Sequence, residues 1–354
     1  MTQTPLAGTG SAAAARTLHA SAPQFAGGLR EVGPGTWAWL QPNGSCGEAN
    51  AGLVVGNGAS ALIDTLWDQR LARSMLDAMA PLVADAPIRL VVNTHSDGDH
   101  WWGNSEAPAA AEIVTPHASL AQMRKEQTPA ALARLHRVSA ASGILPGRLG
   151  ALGRYTGAML APFAFTDVEL RFPNRAFSGR QTEHVGGHEL RLIEVGPAHT
   201  PGDSIVHVPH AGVVFAADML FIGSTPVMWQ GPLSNWLTAL DTLLSLDVDT
   251  FVPGHGPVCG RAEVQQLRAY WEWLDAGVAA QHAAGASAPA AARALTRDPE
   301  FARYRDWQHP ERMLISITTV LRALSGKGPV AETPAARARL FAQVAALGRE
   351  LASR

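Results

Sequence analysis

His95, Asp97, Asp99 and His100 fall within six positions, in the run Thr94-His-Ser-Asp-Gly-Asp-His-Trp-Trp-Gly-Asn104. Imidazoles and carboxylates at this density are metal ligands by type, suited to Zn, Fe and Mn. Three further candidates lie far along the chain. His199 sits in Gly196-Pro-Ala-His-Thr-Pro-Gly-Asp-Ser204, Asp218 ends the run Val213-Val-Phe-Ala-Ala-Asp, and His255 sits in Pro253-Gly-His-Gly256. A pair of ions about 3.5–4 Å apart shares an activated water and polarises a carbonyl or phosphoryl oxygen. That chemistry needs no serine or cysteine nucleophile. A calcium loop is excluded, because Asp97-Gly-Asp99 lacks the Asp-x-Asx-x-Asx-Gly spacing and the later glutamate. Ser325-Gly-Lys-Gly328 lacks the full phosphate-loop pattern.

The elements around these residues are those that would position them. Ile88–Asn93 reads as a buried strand delivering the cluster into a loop, the usual place for chemistry built on a rigid scaffold. Upstream, Thr36–Leu40, Ala51–Val55 and Ser60–Asp64 read as strands, and residues 68–83 carry apolar positions at helical spacing. Downstream, Glu189–Glu194, Ser204–Val208, Val213–Ala217 and Thr250–Val252 read as strands, with a helix over Leu233–Leu246. Each candidate ligand ends a strand or occupies a Gly/Pro turn, where backbone can approach a metal closely. Helices at His117–Glu126, Pro129–Ala140 and Arg148–Leu160 read as an inserted segment over about 115–172, either a packing subdomain or a cover for the site. After Ala262 only helices are expected, at 262–283, 287–303, 310–324 and 332–352. The layout is α/β.

The 354 residues are 47% apolar and 16% charged with a net charge of −2, so a large core is possible and a basic nucleic-acid surface is not expected. Cys46 and Cys259 form no framework and read as free thiols in a reducing cytoplasm. Residues 1–22 lack a signal-peptide pattern and read as a disordered leader. No apolar run reaches the roughly 18 residues of a membrane span. The expectation is a cytoplasmic protein acting on a small-molecule substrate, with a homodimer open and neither nucleic acid nor membrane as a partner.

Taken in order, the cluster His-x-x-x-Asp-His, a His in a Thr-Pro-Gly turn, an Asp after an apolar run and Pro-Gly-His-Gly resemble the metallo-β-lactamase superfamily over about residues 30–260. The resemblance implies a four-layer αββα sandwich in a catalytic domain at 23–262, followed by a C-terminal helical extension at 263–354. It also implies two divalent ions, zinc first, with His95, Asp97 and His199 at one site and Asp99, His100 and His255 at the other. Asp218 would bridge them, and Asp99 and Asp218 would be catalytic. The implied reaction is attack of a metal-activated hydroxide on an ester, thioester, lactone or amide. Asp64 falls where the family has a buried carboxylate supporting the ligand loop, an orienting role.

One departure stands out: Asp97 occupies a position where the common motif has histidine. Its anionic oxygen favours harder metals such as Fe or Mn, and some relatives with a carboxylate there are di-iron redox proteins. A non-hydrolytic polyketide-type cyclase is the other alternative. Trp101 and Trp229 are candidates for an apolar pocket wall, together with Trp102, Phe221, Met228 and Trp236. Of the remaining histidines, His309 is the one that a C-terminal helical segment could bring over the site.

Overall fold

The computed structural model describes residues 24–330 and 333–353. The leader expected at 1–22 lies outside the described residues. Seven strands form one sheet in chain order: β1 Gly28–Gly33, β2 Thr36–Leu40, β3 Ala51–Val55, β4 Ser60–Ile63, β5 Ile88–Val92, β6 Glu112–Pro116 and β7 Arg175–Phe177. Pairing is antiparallel from β1 to β4 and parallel from β4 to β7. Five strands form the second sheet: β8 Arg180–Val185, β9 His188–Glu194, β10 Ser204–Val208, β11 Val213–Phe221 and β12 Thr250–His255. There β12 runs parallel to β11 and the other pairs are antiparallel.

The sheets pack face to face because apolar residues alternate along their strands. In β2, Thr-Trp-Ala-Trp-Leu, Ala38 and Leu40 point inward, and they join Ile63, Val92, Leu192, Val206 and Phe215 in the layer between the sheets. Fully burying each of the larger residues contributes roughly 1.5–3 kcal/mol. This apolar layer therefore holds the sandwich together, which leaves its lip available for polar groups.

Helix α1, Gln69–Val83, covers the outer face of the first sheet. Its N-cap Asp68 accepts the Leu71 N–H at 2.8 Å, and Met75 and Met79 bury one helical turn apart. A single turn, α2, Gly98–Trp101, carries Asp99 and His100. The insertion holds α3 His117–Met123, α4 Pro129–Gly143 and α5 Gly147–Leu160. On the outer side of the second sheet α6 Leu233–Ser245 and α7 Arg261–Ala283 pack against β11, and α8 Ala288–Leu295, α9 Met313–Leu324 and α10 Pro334–Ala352 pack beyond them, against α7 and one another. Trp236 of α6, Trp271 of α7, Leu314 of α9 and Leu340 of α10 share one apolar cluster, so the extension is continuous with the sandwich core. The architecture is a four-layer αββα sandwich with helical additions.

Two expected helices differ in detail. The helix expected at 287–303 is split, because Pro299 ends α8's path and a 3-10 turn follows at Pro299–Arg303. That expected at 310–324 opens as a 3-10 turn at Pro310–Arg312 before α9 begins. Asp218 does not end its strand. β11 continues to Phe221, and the register against β12 is irregular around Ala217, whose φ of 46° breaks the regular pleat beside Asp218.

Candidate metal centre

Ligand-type side chains from both sheets meet at one lip of the sandwich. The loop after β5 and the turn α2 bring His95, Asp97, Asp99 and His100. The β9–β10 turn brings His199, β11 brings Asp218, and the last residue of β12 is His255. Their donor atoms form compact groups: His95, Asp97 and His199; Asp99, His100 and His255; and His95, His100 and Asp218. Asp218 is central. Its carboxylate lies 3.1 Å from Nε2 of His100, 3.2 Å from that of His199, 3.4 Å from that of His255 and 3.9 Å from that of His95. Asp97 lies 3.1 Å from Nε2 of His199, and Asp99 lies 3.6 Å from Nε2 of His255.

Three of the four imidazoles are held from behind, while Nδ1 of His255 is buried without a hydrogen-bond partner. His100 Nδ1 donates to Asp64 Oδ2 at 2.8 Å, and His199 Nδ1 donates to the Val227 carbonyl. His95 Nδ1 lies 3.0 Å from Thr94 Oγ1, which itself donates to Asp64 Oδ2 at 2.8 Å. Each contact places the backed proton on Nδ1 and turns Nε2 toward the shared centre. Asp64 also accepts the Thr94 N–H at 2.8 Å, so one buried carboxylate fixes both the loop and a histidine within it. It does this from a left-handed backbone conformation, φ 60°, which a non-glycine residue adopts at a cost of order 1–3 kcal/mol.

Close packing sets the remaining geometry. A Cβ on Gly254 would lie 1.9 Å from Asp218 Oδ1, so the Pro-Gly-His-Gly turn reaches the centre only with glycine there. Asn50 clamps that turn, its side-chain amide donating to the carbonyls of Pro253 at 2.9 Å and Gly256 at 2.8 Å. Asp203 builds the turn under His199, accepting from the N–H groups of Ala198 and Thr200 and from the Thr200 hydroxyl. Burial lifts the Asp203 carboxyl to about 6, against the pull of His199 and Thr200. Asn50, Thr94 and Asp203 have no role that sequence reasoning assigned, although Asp203 stands inside the Thr-Pro-Gly-Asp motif. Phe221 stacks on His255 with rings 5.0 Å apart and an interplanar angle of 10°.

The charges here compensate one another. Burial opposes a charge on His100, but Asp218 and Asp64 outweigh it and lift the group well above the usual imidazole range. Burial likewise opposes a charge on His199, which Asp97 and then Asp218 overcome, raising it to about 10. Asp97 is pushed up by burial yet drawn down to about 2, chiefly by His199. His95 falls well below the ordinary range through burial and the neighbouring His100. Nε2 of His95 and of His100 and Oδ1 of Asp218 are buried without a hydrogen-bond partner. His100 Nε2 and Asp218 Oδ1 stand 3.1 Å apart but are not aligned as a hydrogen bond. Buried polar atoms without partners are costly unless something satisfies them. The donor set therefore fits divalent cations, which would take the place of imidazole protons.

A cleft of about 390 Å³, counted to its open mouth, adjoins Asp97. Trp229 lines it, with Gln122 and Glu126 from the insertion and Arg337 from α10. Trp101 does not. Its indole is 1% exposed, donates to the Ser96 carbonyl at 2.8 Å and packs against Phe172. Trp102, Met228 and Trp236 are likewise buried in packing. His309 does not reach the ligand groups: it bonds Ser45 Oγ at 2.6 Å and faces Glu311 at 3.3 Å. Among the described residues neither Cys46 nor Cys259 forms a disulfide.

The profile of the metallo-beta-lactamase superfamily matches residues 44–255, more than half of the chain and all seven candidate ligands. The chain belongs to that superfamily. The alpha subunit of 2,4-dinitroanisole O-demethylase from Nocardioides sp. (strain JS1661) is 25% identical over 226 residues, 62% of this chain and 56% of that one. Among solved structures, the inverting sec-alkylsulfatase Pisa1 from Pseudomonas sp. superposes with a TM-score of 0.65 at 20% identity, over 84% of this chain and 50% of that one. A metallo-beta-lactamase from Pontibacter korlensis gives 0.51 at 15% identity, over 69% of this chain and 98% of that one. The chain thus spans about half the length of the demethylase subunit and of the alkylsulfatase. Among the described residues no helix is long and apolar enough to cross a membrane.

Proposed function

We propose that this chain is a dinuclear metal-dependent hydrolase acting on small organic substrates, with His95, Asp97 and His199 holding one cation, Asp99, His100 and His255 the other, and Asp218 between them. The observation that carries the reading is the convergence of four Nε2 atoms within 3.9 Å of one carboxylate. When bound, the ions would supply Lewis acidity and an activated water, zinc being the first expectation. Asp99, at the mouth of the second group, accepts a proton from the attacking water and returns one to the leaving oxygen. Asp218 keeps the imidazoles in register, and Asp64 and Thr94 keep His100 and His95 from turning away. The cleft beside Asp97 orients the body of the substrate.

Esters, thioesters, lactones and amides are the substrate classes this chemistry serves. The names of the demethylase subunit and the alkylsulfatase widen the class to sulfate esters and activated aryl ethers. A second reading has a specific basis. Asp97 puts a third carboxylate into the centre, which favours iron or manganese and a redox enzyme.

Metal analysis of the unsupplemented protein, with an absorption spectrum, separates the two. The hydrolase reading expects about two zinc ions per chain, no visible band, and activity on an ester, thioester, lactone and sulfate-ester panel that chelation abolishes and zinc restores. Iron with a visible band and no hydrolysis supports the redox reading instead.

A further inference from the structure

Helices α4 and α5 form a hairpin whose patterning is reversed. Along their seam the residues are small or polar. The buried hydroxyls of Thr156 and Ser139 bond across it at 2.6 Å, and a Cβ on Gly153 would lie 2.4 Å from Ser142 Oγ. Leu135, Val138, Ile144, Leu145 and Leu149 face outward instead. They are five of the seven large apolar residues left exposed among those described, so the exposure is concentrated on this one element. Ile144 is 86% exposed. Arg154 closes the turn from behind, donating to the carbonyls of Gly143 at 2.7 Å and Leu145 at 3.3 Å, and Ile144 and Leu149 form the outer tip.

The charge around this tip has one sign. Residues 127–166 contain four arginines and no aspartate or glutamate, in a chain whose net charge is −2. Arg134, Arg137 and Arg148 are exposed beside the apolar residues. In water, a contiguous exposed apolar patch marks an interaction surface. A seam of small residues and hydroxyls, with apolar side chains turned outward, is how helices pack in lipid. Basic residues beside an apolar face suit an anionic membrane surface. A second copy of the hairpin is a poor match, because it would set arginine against arginine. At 15 and 14 residues the helices are too short to span a bilayer, so the fit is to its surface.

We propose that the tip of the α4–α5 hairpin docks on anionic lipid bilayers. Ile144, Leu145 and Leu149 enter the boundary between headgroups and acyl chains, and Arg134, Arg137 and Arg148 pair with lipid phosphates. Tyr155 of α5 donates to Glu311 of the extension, so the docked hairpin is tied to the body that carries the metal centre. The expectation of no membrane partner rested on spanning length and net charge, neither of which registers one face of a hairpin. Docking is independent of the reaction performed at the metal centre.

The test is cosedimentation of the full chain with phosphatidylcholine vesicles containing about 30% phosphatidylglycerol, beside vesicles of phosphatidylcholine alone. The anionic vesicles should bind at least about tenfold more tightly, and added salt should weaken that binding. Ile144→Ser combined with Leu149→Ser should weaken it about a hundredfold. Arg134→Gln combined with Arg137→Gln should weaken it about 30-fold. Leu324→Ser, at an exposed apolar position on α9, should leave it unchanged. All five positions are exposed, and matching thermal melts confirm that the variants are folded. No binding to either vesicle, equal binding to both, or anionic binding unmoved by the Ile144→Ser and Leu149→Ser pair overturns the proposal. A dimer in light scattering that the same pair dissolves assigns the face to a second copy and overturns it as well.

Discussion

The ligand cluster and the cleft wall beside it are built on opposite principles. In the cluster, His95, His100, His199, Asp218 and His255 are all nearly inaccessible, and most are held from behind by a second buried group. At the wall, Trp229 and Arg337 are half-buried, and they come from a loop and a helix with no part in either sheet. Changing one residue of the cluster disturbs charge balance and geometry together, because its members share partners. Changing one residue of the wall alters what fits. On the proposed function, the lip of the sandwich would hold the chemistry fixed while the added helices bear on the choice of substrate, a division seen where loops on a rigid scaffold carry function.

That contrast breaks most sharply at Asp218. Asp218→Ala removes the one carboxylate that all four imidazoles face, and turnover should drop on the order of a thousandfold with loss of bound metal. Metal analysis beside an activity assay checks it, and a metal-replete, active variant would undo the central role given to this residue. A smaller effect is expected one layer out. Asp64→Asn keeps the shape but loses the charge behind His100 and Thr94, and metal affinity should weaken about 10–100-fold in a chelator competition. Unaltered affinity would show that the loop holds its own shape. The smallest effect belongs to the periphery. Tyr155 of α5 donates to Glu311 at 2.9 Å, joining the insertion to the extension. Tyr155→Phe should cost about 1 kcal/mol in denaturant unfolding and leave turnover as it was. A large drop in turnover there would erase the distinction between the two regions.

The seven candidate ligands were proposed from motif and order, because ligand chemistry restricts residue type and strand ends restrict spacing, and the structure brings their side chains together in compact groups. Asp64 was legible from position. The strands beside the ligands were read at the right places, since their apolar runs are bounded by glycine or polar turns, but β11 runs four residues and β12 three residues past the expected ends. β6 and β7 were not legible. β6 ends on a proline, and β7 has three residues, too few for alternation to register. Asn50 and Thr94 act through side-chain hydrogen bonds to distant groups that no local pattern announces, whereas Asp203 stood within the Thr-Pro-Gly-Asp motif without a role assigned to it. Trp101 misled because adjacency to a ligand in sequence says nothing about direction: on α2 its ring turns into the packing against Phe172. Arg337 meets Trp229 only through the tertiary arrangement of α10, a contact without any signature along the chain.

The two sheets contribute ligands from separate stretches of sequence, with Asp97 and His199 separated by 102 positions. An ion held by both would brace the sheets as a cross-link does, and a bridge closing a loop of that length is worth about 4.7 kcal/mol in chain-entropy terms. Any breathing motion that parts the sandwich at its lip would first have to expel the ion. The residues that define the reaction would then also act as a clasp, and slow amide exchange in β5 and β11 would be its visible trace.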